Sequence, residues 1–213
     1  WREAVAAHRI TPGGAPESAY AACLQALGDK ALGMRLDSLV SLTCGAEPIR
    51  AATVERVLDV FGAAGLRPNA FAPSYGLAEA VLGVSSGMLD APPRIVSADA
   101  VALLAHRFEP VADTSGEVRR LVGCGRAMPN TEILVVEDGR PCADGEVGEI
   151  WVSSPSVGEG YWMQPEASEA VFGGHLANGA GPFLRTGDLG FFDRGELFVT
   201  GRLKDLVIVH GEN

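Results

Sequence analysis

The sequence predicts an α/β protein in two parts: a three-layer α/β unit with a largely parallel sheet, followed by a small, mostly antiparallel β-barrel. Strand-like and helical segments alternate up to about residue 117, which is typical of a parallel sheet covered by helices. From residue 118, short strand-like segments follow one another across turns. The chain has 213 residues and is 47% hydrophobic, enough for a substantial core. We therefore predict one unit at residues 1–117 and a second at 118–200.

The first part is predicted to contain three helices and two strands. Apolar side chains recur at helical spacing in the two longer helices, with Pro48 in the first turn of the second. An apolar run that ends in glycine predicts a buried strand, and a second strand leads into a turn. The predicted segments are helices at 16–27, 48–65 and 78–82, strands at 37–45 and 69–72, and a turn at 73–79.

The second part is predicted to be built from short strands. Asp-Gly and Arg-Gly pairs and prolines separate its apolar runs, and these residues favour tight turns between strands. One segment that begins at Gln164 has helical spacing instead. The predicted strands are residues 131–137, 145–154, 189–193 and 195–201, and the predicted helix is 164–172.

Charge and cysteine usage exclude several classes of partner. The formal net charge is −10, which disfavours binding to a nucleic-acid backbone or to an anionic membrane surface. An anionic small ligand stays possible, because loops and helix N-termini bind phosphate locally. The four cysteines form no CxxC pair, so we expect free thiols and a cytoplasmic protein. No apolar run approaches membrane-spanning length, so membrane insertion is not expected.

Two segments in the first part have the composition of a nucleotide site. In "CGAEP" (residues 44–48), Gly45 and Ala46 lie between a predicted strand and a helix, where small residues let a flat ring approach the backbone. In "SYGLAE" (74–79), Tyr75 offers a stacking face and Glu79 offers a carboxylate for a divalent cation. Taken singly, each segment is better explained as an ordinary turn.

Two further segments follow in the second part. "LRTGDLG" (184–190) presents Asp188 on a glycine-flanked turn, and a fixed carboxylate can accept both hydrogen bonds of a ribose diol. "GRLKD" (201–205) places Arg202 directly after a predicted strand, and its forked donors suit a phosphate or ribose oxygen. Any one of the four segments could be a surface segment without a function, but all four occur in succession along this chain.

The ordered set "GAEP", "YGLAE", "VGEIWVSSPSVGEGYW", "LRTGDLG" and "GRLKD" resembles the adenylate-forming superfamily of acyl and aminoacyl ligases. The likeness is greatest to the fatty acyl-AMP ligases that supply polyketide and lipid synthases, and it extends over the whole chain. The resemblance implies that a fatty or related carboxylic acid reacts with ATP and Mg²⁺ to give an acyl-adenylate. The acyl group would then pass to a holo acyl carrier protein or polyketide synthase.

The resemblance also implies roles for individual residues. Tyr75 would stack on the adenine, Asp188 would hold the ribose hydroxyls, and Glu79 would face the magnesium ion as the catalytic residue of this set. The nucleotide contacts would come from Gly45, Ala46, Glu47, Ser74, Tyr75, Gly76, Asp188, Val199 and Arg202. The segment "GAPESAY" (14–20) is similar to the one lining the acyl tunnel, so Gly14, Ala15 and Tyr20 would contact the substrate. Lys204 and Asp205 would mark a hinge, within residues 201–213, toward a C-terminal domain.

The resemblance is incomplete in two respects. The superfamily uses a Ser/Thr/Gly-rich phosphate loop and a catalytic lysine, and neither is recognisable in these 213 residues. We therefore expect this chain to be the second half of a large N-terminal domain, and to be inactive on its own.

Glu17 and Ser18 stand where family members commonly have Asn-Phe, so the acyl tunnel is expected to be wider or more polar. Glu212 stands where a basic residue is frequent.

The stretch at residues 80–121 bears on the acyl acceptor. It is longer than in coenzyme A-dependent relatives and is similar to an extra element of fatty acyl-AMP ligases, thought to obstruct the coenzyme A-dependent step. A neutral loop insertion is the simpler alternative, because surfaces tolerate insertions cheaply. An acyl-coenzyme A ligase and a catalytically silent nucleotide- or acyl-binding module therefore stay open as alternatives.

Two other patterns suggest different chemistry and are disfavoured. "GVSSG" (83–87) matches the GxSxG nucleophile pattern, which requires a strand directly before it, whereas the preceding residues are predicted to be helical. The four histidines show neither metal-ligand spacing nor a paired carboxylate pattern.

Overall fold

The computed structural model describes residues 2–27, 35–113 and 117–204. Its elements include five α-helices and twelve strands within those ranges, with single 3₁₀ turns at Pro68–Ala70 and Ala78–Ala80. The helices are α1 (Arg2–His8), α2 (Glu17–Leu27), α3 (Ala51–Ala63), α4 (Ala100–Leu104) and α5 (Pro165–Phe172). The strands are β1 (Pro12–Pro16), β2 (Ser41–Gly45), β3 (Phe71–Leu77), β4 (Leu82–Ser86), β5 (Ile95–Asp99), β6 (Val118–Val122), β7 (Arg126–Ala127), β8 (Glu132–Glu137), β9 (Arg140–Pro141), β10 (Gly148–Ser153), β11 (Leu184–Asp193) and β12 (Glu196–Arg202).

The first sheet has the strand order β1-β2-β3-β4-β7 and is parallel over its first three strands. Helices α2 and α3 follow β1 and β2 and bury their apolar faces in one core with the sheet, as alternating strands and helices predict. Phe61 on α3 and Phe71 on β3 are almost completely buried in this core. The parallel α/β prediction is confirmed, and β4 and β7 extend the sheet in antiparallel fashion.

The second sheet has the order β12-β11-β10-β8-β9, and all its pairings are antiparallel. Each predicted strand of the second part corresponds to a strand of this sheet, and α5 matches the predicted helix. The antiparallel character of the second part is confirmed, and closure into a barrel stays a prediction.

A smaller, two-stranded sheet packs against residues of both larger sheets. Strands β5 and β6 pair with each other in antiparallel fashion, so the boundary proposed near residue 117 falls between two paired strands. Phe108 stacks on Phe191, with ring centroids 4.5 Å apart, and Phe191 stacks on Phe198 at 5.2 Å. Arg94 forms ion pairs with Asp193 and Glu196 across the same junction. The division into units at 117 stays a prediction.

Three local predictions were wrong. The segment 78–82 is not a helix, because only one 3₁₀ turn forms before Val81 adopts a left-handed φ of 54° and β4 begins. The predicted turn at 73–79 continues β3 as far as Leu77, since β4 folds back and pairs with it. Helix α3 begins at Ala51 and not at Pro48, because Arg50 still has extended backbone angles.

The cysteines and the helices bear on the composition-based expectations. Cys23, Cys44, Cys124 and Cys142 are all free thiols, as expected. Within the described ranges, no helix combines the length and the apolar character needed to cross a bilayer.

Candidate functional site

The candidate site begins where the parallel strands end. Cys44 of β2 pairs with Pro73 of β3, so Gly45 and Ser74 lie side by side at the same edge of the sheet. A Cβ atom at Gly45 would stand only 2.8 Å from the carbonyl oxygen of Ser74, so this position requires glycine. Ala46 follows with a left-handed φ of 65° and turns the chain toward α3. The carboxyl edge of a parallel sheet is the common place for a ligand in such folds.

Tyr75, Asp188 and Arg202 form the centre of the site. The Tyr75 hydroxyl donates a 2.7 Å hydrogen bond to Asp188 Oδ2, and Arg202 Nε donates a 3.1 Å bond to Asp188 Oδ1. The Asp188 side chain is only 11% exposed, whereas that of Arg202 is 70% exposed. Burial raises the pKa of the Tyr75 phenol, so it remains a protonated donor at neutral pH. The geometry presents one oriented carboxylate between an aromatic ring and a guanidinium group.

Asp188 is held by a bulge in β11. The pairing of β10 with β11 shifts register between Glu149 and Trp151. Thr186 bridges the bulge: its hydroxyl donates to the Ile150 carbonyl at 2.7 Å and accepts from the Asp188 amide at 3.1 Å. Neither Thr186 nor Glu149 was identified as a site residue from the sequence. The available signal was a glutamate within "GEIW", in a strand whose first five residues are all buried.

Glu79 is the second carboxylate of the site. Tyr161 donates a 2.6 Å hydrogen bond from its hydroxyl to Glu79 Oε1, and this bond raises the pKa of Tyr161 to about 12. The amide of Gly158 donates to the Glu79 carbonyl at 2.8 Å, so backbone and side chain are both fixed. Tyr161 was not predicted as a site residue, because it lies 82 positions away from Glu79 in the chain.

Glu79 fits the way proteins hold magnesium. Mg²⁺ is commonly bound through one or two carboxylates together with substrate phosphates and water, and not by a cage of protein ligands. In the part of the chain that the structure describes, there is no group of three or more candidate metal ligands. A single half-buried glutamate with one oxygen engaged by Tyr161 is compatible with that mode of binding.

Glu47 and Glu17 connect the site to the predicted acyl segment. Glu47 accepts hydrogen bonds from the Ser18 amide at 2.8 Å and from its hydroxyl at 3.0 Å, so it caps the first turn of α2. Glu17 is almost completely buried, forms an ion pair with Arg50 at 2.7 Å, and accepts a hydrogen bond from Thr53. The hydrogen bond from Arg50 lowers the pKa of Glu17. The Glu17 carboxylate is therefore engaged within the protein.

The residues predicted to contact the acyl group lie along β1 and α2. Gly14 and Ala15 are in β1 and pair with Thr43 and Cys44. Tyr20 is buried: its ring packs edge-on against Phe71, and its hydroxyl donates to the Thr43 carbonyl at 2.7 Å. These positions are close to the Gly45 turn, because β1 and β2 are neighbours.

The remaining predicted residues are spread around this centre. Ser74 and Gly76 flank Tyr75 in β3, and Val199 of β12 lies opposite Gly190 of β11. Val199 and Tyr75 are both half-buried at the edge of the same apolar cluster. Lys204 is exposed, whereas Asp205 and Glu212 lie outside the described residues.

The two disfavoured patterns have structural explanations. Ser85, the central serine of "GVSSG", is completely buried and donates its hydroxyl hydrogen to the Cys124 carbonyl at 2.8 Å. It is therefore not an accessible nucleophile. His106 contacts Glu137 at 2.7 Å on the surface, and His175 contacts the Gly173 carbonyl.

Comparison with known proteins gives a consistent set of relatives. The sequence profile of the family described as "AMP-binding enzyme" matches residues 1–162. The medium-chain-fatty-acid–[acyl-carrier-protein] ligase JamA of Moorena producens is 39% identical over 219 residues, covering 100% of this chain and 37% of JamA. The long-chain-fatty-acid–AMP ligase FadD28 of Mycobacterium tuberculosis is 38% identical, covering 87% of this chain and 33% of FadD28. The chain thus spans well under half the length of these relatives.

A solved structure shares the fold. The fatty acyl-adenylate ligase from L. pneumophila, crystallised with acyl adenylate and pyrophosphate, superposes with a TM-score of 0.89 at 37% identity. The match covers 99% of this chain and 37% of that structure.

Proposed function

The chain belongs to the AMP-binding enzyme family, and we propose that the protein it forms part of is a fatty acyl-AMP ligase. In this reaction a carboxylate oxygen of the fatty acid attacks the α-phosphorus of ATP, and pyrophosphate leaves. The thiol of a carrier protein's phosphopantetheine then attacks the acyl carbon, and AMP leaves. The observation that carries the proposal is the placement of Asp188 between Tyr75 and Arg202.

The nucleotide would lie across the edge of the first sheet. The backbone of Gly45, Ala46 and Glu47 would line the adenine, because the Glu47 carboxylate already caps α2 and leaves the backbone as the accessible surface. Tyr75 would stack on the base, with Ser74 and Gly76 beside it and Val199 against the opposite side. A small, glycine-lined edge permits such a close approach of a flat ring.

Asp188 would hold the ribose hydroxyls. An ionised carboxylate is an acceptor with several lone pairs, so it can receive the ribose hydroxyls in addition to Tyr75 and Arg202. Arg202 is exposed enough to turn toward a phosphate or ribose oxygen. Glu79 would hold Mg²⁺, which would neutralise charge on the ATP phosphates when bound. Gly14, Ala15 and Tyr20 would lie along the acyl group, and Lys204 and Asp205 would begin the hinge.

The names of the relatives support the substrate and the acceptor. JamA is named as a ligase that joins medium-chain fatty acids to acyl carrier protein, and FadD28 as a long-chain-fatty-acid–AMP ligase. We therefore propose a fatty acid as the substrate and a carrier protein, free or within a polyketide synthase, as the acceptor.

The stretch at 80–121 supports the choice of a carrier protein over coenzyme A. It forms β4, β5, α4 and most of β6, and it is tied to its surroundings. Arg120 pairs with Glu55 of α3, and Arg119 donates to the Thr200 carbonyl at 2.9 Å. The stretch is thus a folded, anchored element and not a loose loop, as an element that obstructs the coenzyme A-dependent step would need to be.

The test is an adenylation assay on the complete protein with labelled dodecanoic acid, ATP and Mg²⁺. Coenzyme A and a phosphopantetheinylated carrier protein are then added in parallel. Acyl-AMP that accumulates and transfers only to the carrier supports the proposal. Rapid formation of acyl-coenzyme A assigns the protein to the coenzyme A ligases. Absence of adenylate with every acid tried favours a silent binding module.

A further inference from the structure

Glu149 lies beneath the turn that presents Asp188. Its Oε1 accepts a 3.1 Å hydrogen bond from the amide of Gly187, the residue directly before Asp188. Its Oε2 accepts from Trp151 Nε1 at 2.8 Å and from Arg185 Nε at 3.2 Å. The Glu149 side chain is only 11% exposed. Its buried carboxylate thus accepts hydrogen bonds from three groups, all of them on β10 and β11.

The bulge makes this carboxylate necessary. Between the pairs Trp151–Arg185 and Glu149–Leu189, β11 has more residues than β10, so part of β11 lacks ladder partners on that side. Gly187 has a left-handed φ of 71°, and its amide points to Glu149 while its carbonyl accepts from the Leu203 amide at 2.9 Å. Glu149 thus replaces the missing ladder bond and fixes the direction in which the chain enters Asp188.

Arg185 and Trp151 fix Glu149 in turn. The Arg185 guanidinium lies 5.5 Å from the centroid of the Trp151 ring, and Arg185 Nη2 is 3.2 Å from Glu149 Oε2. Trp151 is buried and packs against Phe183, with ring centroids 6.2 Å apart. The carboxylate is therefore held by a rigid indole on one side and by a stacked guanidinium on the other.

We propose that Glu149 is a positioning residue for nucleotide recognition, because it fixes the Gly187 amide and thereby aims the Asp188 carboxylate at the ribose hydroxyls. This inference rests on the proposed function. A residue that only stabilises the fold would affect all nucleotides equally. A residue that aims Asp188 affects the preference for a nucleotide that has ribose hydroxyls.

The experiment measures that preference on the complete protein. The quantity is kcat/KM for ATP divided by kcat/KM for 2′,3′-dideoxy-ATP in the adenylation assay. We expect Glu149→Ala to lower this ratio by about tenfold, the loss typical of one or two oriented hydrogen bonds. The ratio for Glu149→Gln should lie between those of Glu149→Ala and the unchanged protein. Its amide oxygen can still accept the hydrogen bond from Gly187, but its NH₂ group faces the N–H donors of Trp151 and Arg185 and cannot accept from them.

Two further variants separate positioning from stability. Glu132→Gln changes an exposed glutamate on the neighbouring strand β8 and should leave both the ratio and the thermal midpoint unchanged. Val57→Ala removes two methyl groups from the buried core of α3, in a cluster that contains neither Glu149 nor Asp188, so it should lower the thermal midpoint and retain the ratio.

The outcomes distinguish the two levels of the argument. If the unchanged protein forms adenylate and Glu149→Ala has the same kcat/KM ratio, the positioning role is overturned and the proposed function stands. Equal losses with both nucleotides assign Glu149 a purely structural role and overturn it as well. An unchanged protein that forms no adenylate with any acid overturns the proposed function, and the inference with it.

Discussion

Tyr75 and Asp188 are 113 positions apart in the chain, yet the hydroxyl of one donates a 2.7 Å hydrogen bond to the carboxylate of the other. Tyr75 lies on β3 of the first sheet and Asp188 on β11 of the second. This single bond therefore joins the two sheets at the place where we propose that the nucleotide binds. The sheets do not share a strand, so contacts such as this one determine the shape of the site.

Replacing Tyr75 with Phe tests this link. The variant keeps the ring proposed to stack on the base but leaves Asp188 with one fewer donor. We expect the free energy of unfolding to fall by about 1 kcal/mol and KM for ATP to rise several-fold, with kcat less affected. Chemical denaturation and adenylation kinetics measure the two effects. Tyr75→Ala also removes the ring, and it should raise KM further; equal KM values for the two variants would argue against stacking.

Tyr161→Phe tests the support of Glu79. Without the 2.6 Å hydrogen bond, the Glu79 carboxylate gains rotational freedom and, as the proposed magnesium ligand, would hold the cation less well. We expect the magnesium concentration for half-maximal adenylation to rise several-fold while KM for the fatty acid stays the same. The control is Ser38→Ala, which removes a hydroxyl that donates to the Ile10 carbonyl and to no described residue of the proposed site. A Tyr161→Phe variant with an unchanged magnesium requirement would mean that Tyr161 has no part in aiming Glu79.

The Glu17–Arg50 pair predicts a pH dependence of stability. The pKa of Glu17 is lowered in the folded protein, so its contribution is present above the unfolded-state pKa and is lost as the pH falls through the folded value. We expect the denaturant concentration at the midpoint of unfolding to decrease for the unchanged protein once the pH is lowered past about 5, because glutamates of the unfolded chain begin to protonate there. Glu17→Gln should show a smaller fall over the same range.

Arg50→Ala provides the complementary measurement. It leaves the buried Glu17 carboxylate with Thr53 as its remaining side-chain donor, so at neutral pH it should destabilise the protein more than Glu17→Gln does. The opposite order of midpoints at pH 7 would contradict a buried, ionised Glu17.

The free thiols should differ in reactivity. Burial raises the pKa of both Cys44 and Cys124 to about 12, and both side chains are buried. Cys23 and Cys142 are both half-buried, and burial also raises the pKa of Cys142 to about 11. Brief alkylation of the native protein at pH 8 should therefore label Cys23 first and leave Cys44 and Cys124 unlabelled. Peptide mass spectrometry identifies the labelled sites, and labelling in denaturant gives the four-thiol reference. Native labelling of Cys44 would show that β2, the strand that leads into the turn at Gly45, opens readily.

The sequence predicted regular elements better than it predicted contacts. Strands β8, β10, β11 and β12 were predictable because glycine-containing turns separate runs of apolar residues. The segment 78–82 was not, because five residues with helical composition cannot reveal that β4 returns beside β3. What decides the structure there is long-range strand pairing.

The candidate site shows the same limit. Tyr75, Asp188 and Glu79 were singled out by motif, but periodicity alone contains no information about which of them meet. Glu149 was missed because the bulge that requires it is a property of two paired strands, and only its charge within a buried strand signalled a special role.

The last prediction concerns Gly45, whose lack of a side chain brings β2 and β3 together at the site. An added Cβ would stand 2.8 Å from the Ser74 carbonyl oxygen, closer than real Cβ atoms approach, so Gly45→Ala must displace β3 at the residue before Tyr75. We expect the free energy of unfolding to fall by about 1–3 kcal/mol, the usual cost of overpacking, and KM for ATP to rise. Gly62→Ala is the matched control, because a Cβ there meets nothing within 4 Å and lies within α3. It should stabilise the protein by up to about 1 kcal/mol and leave KM unchanged. If Gly45→Ala matched this control in both measurements, the close approach of the two strands would not shape the nucleotide site.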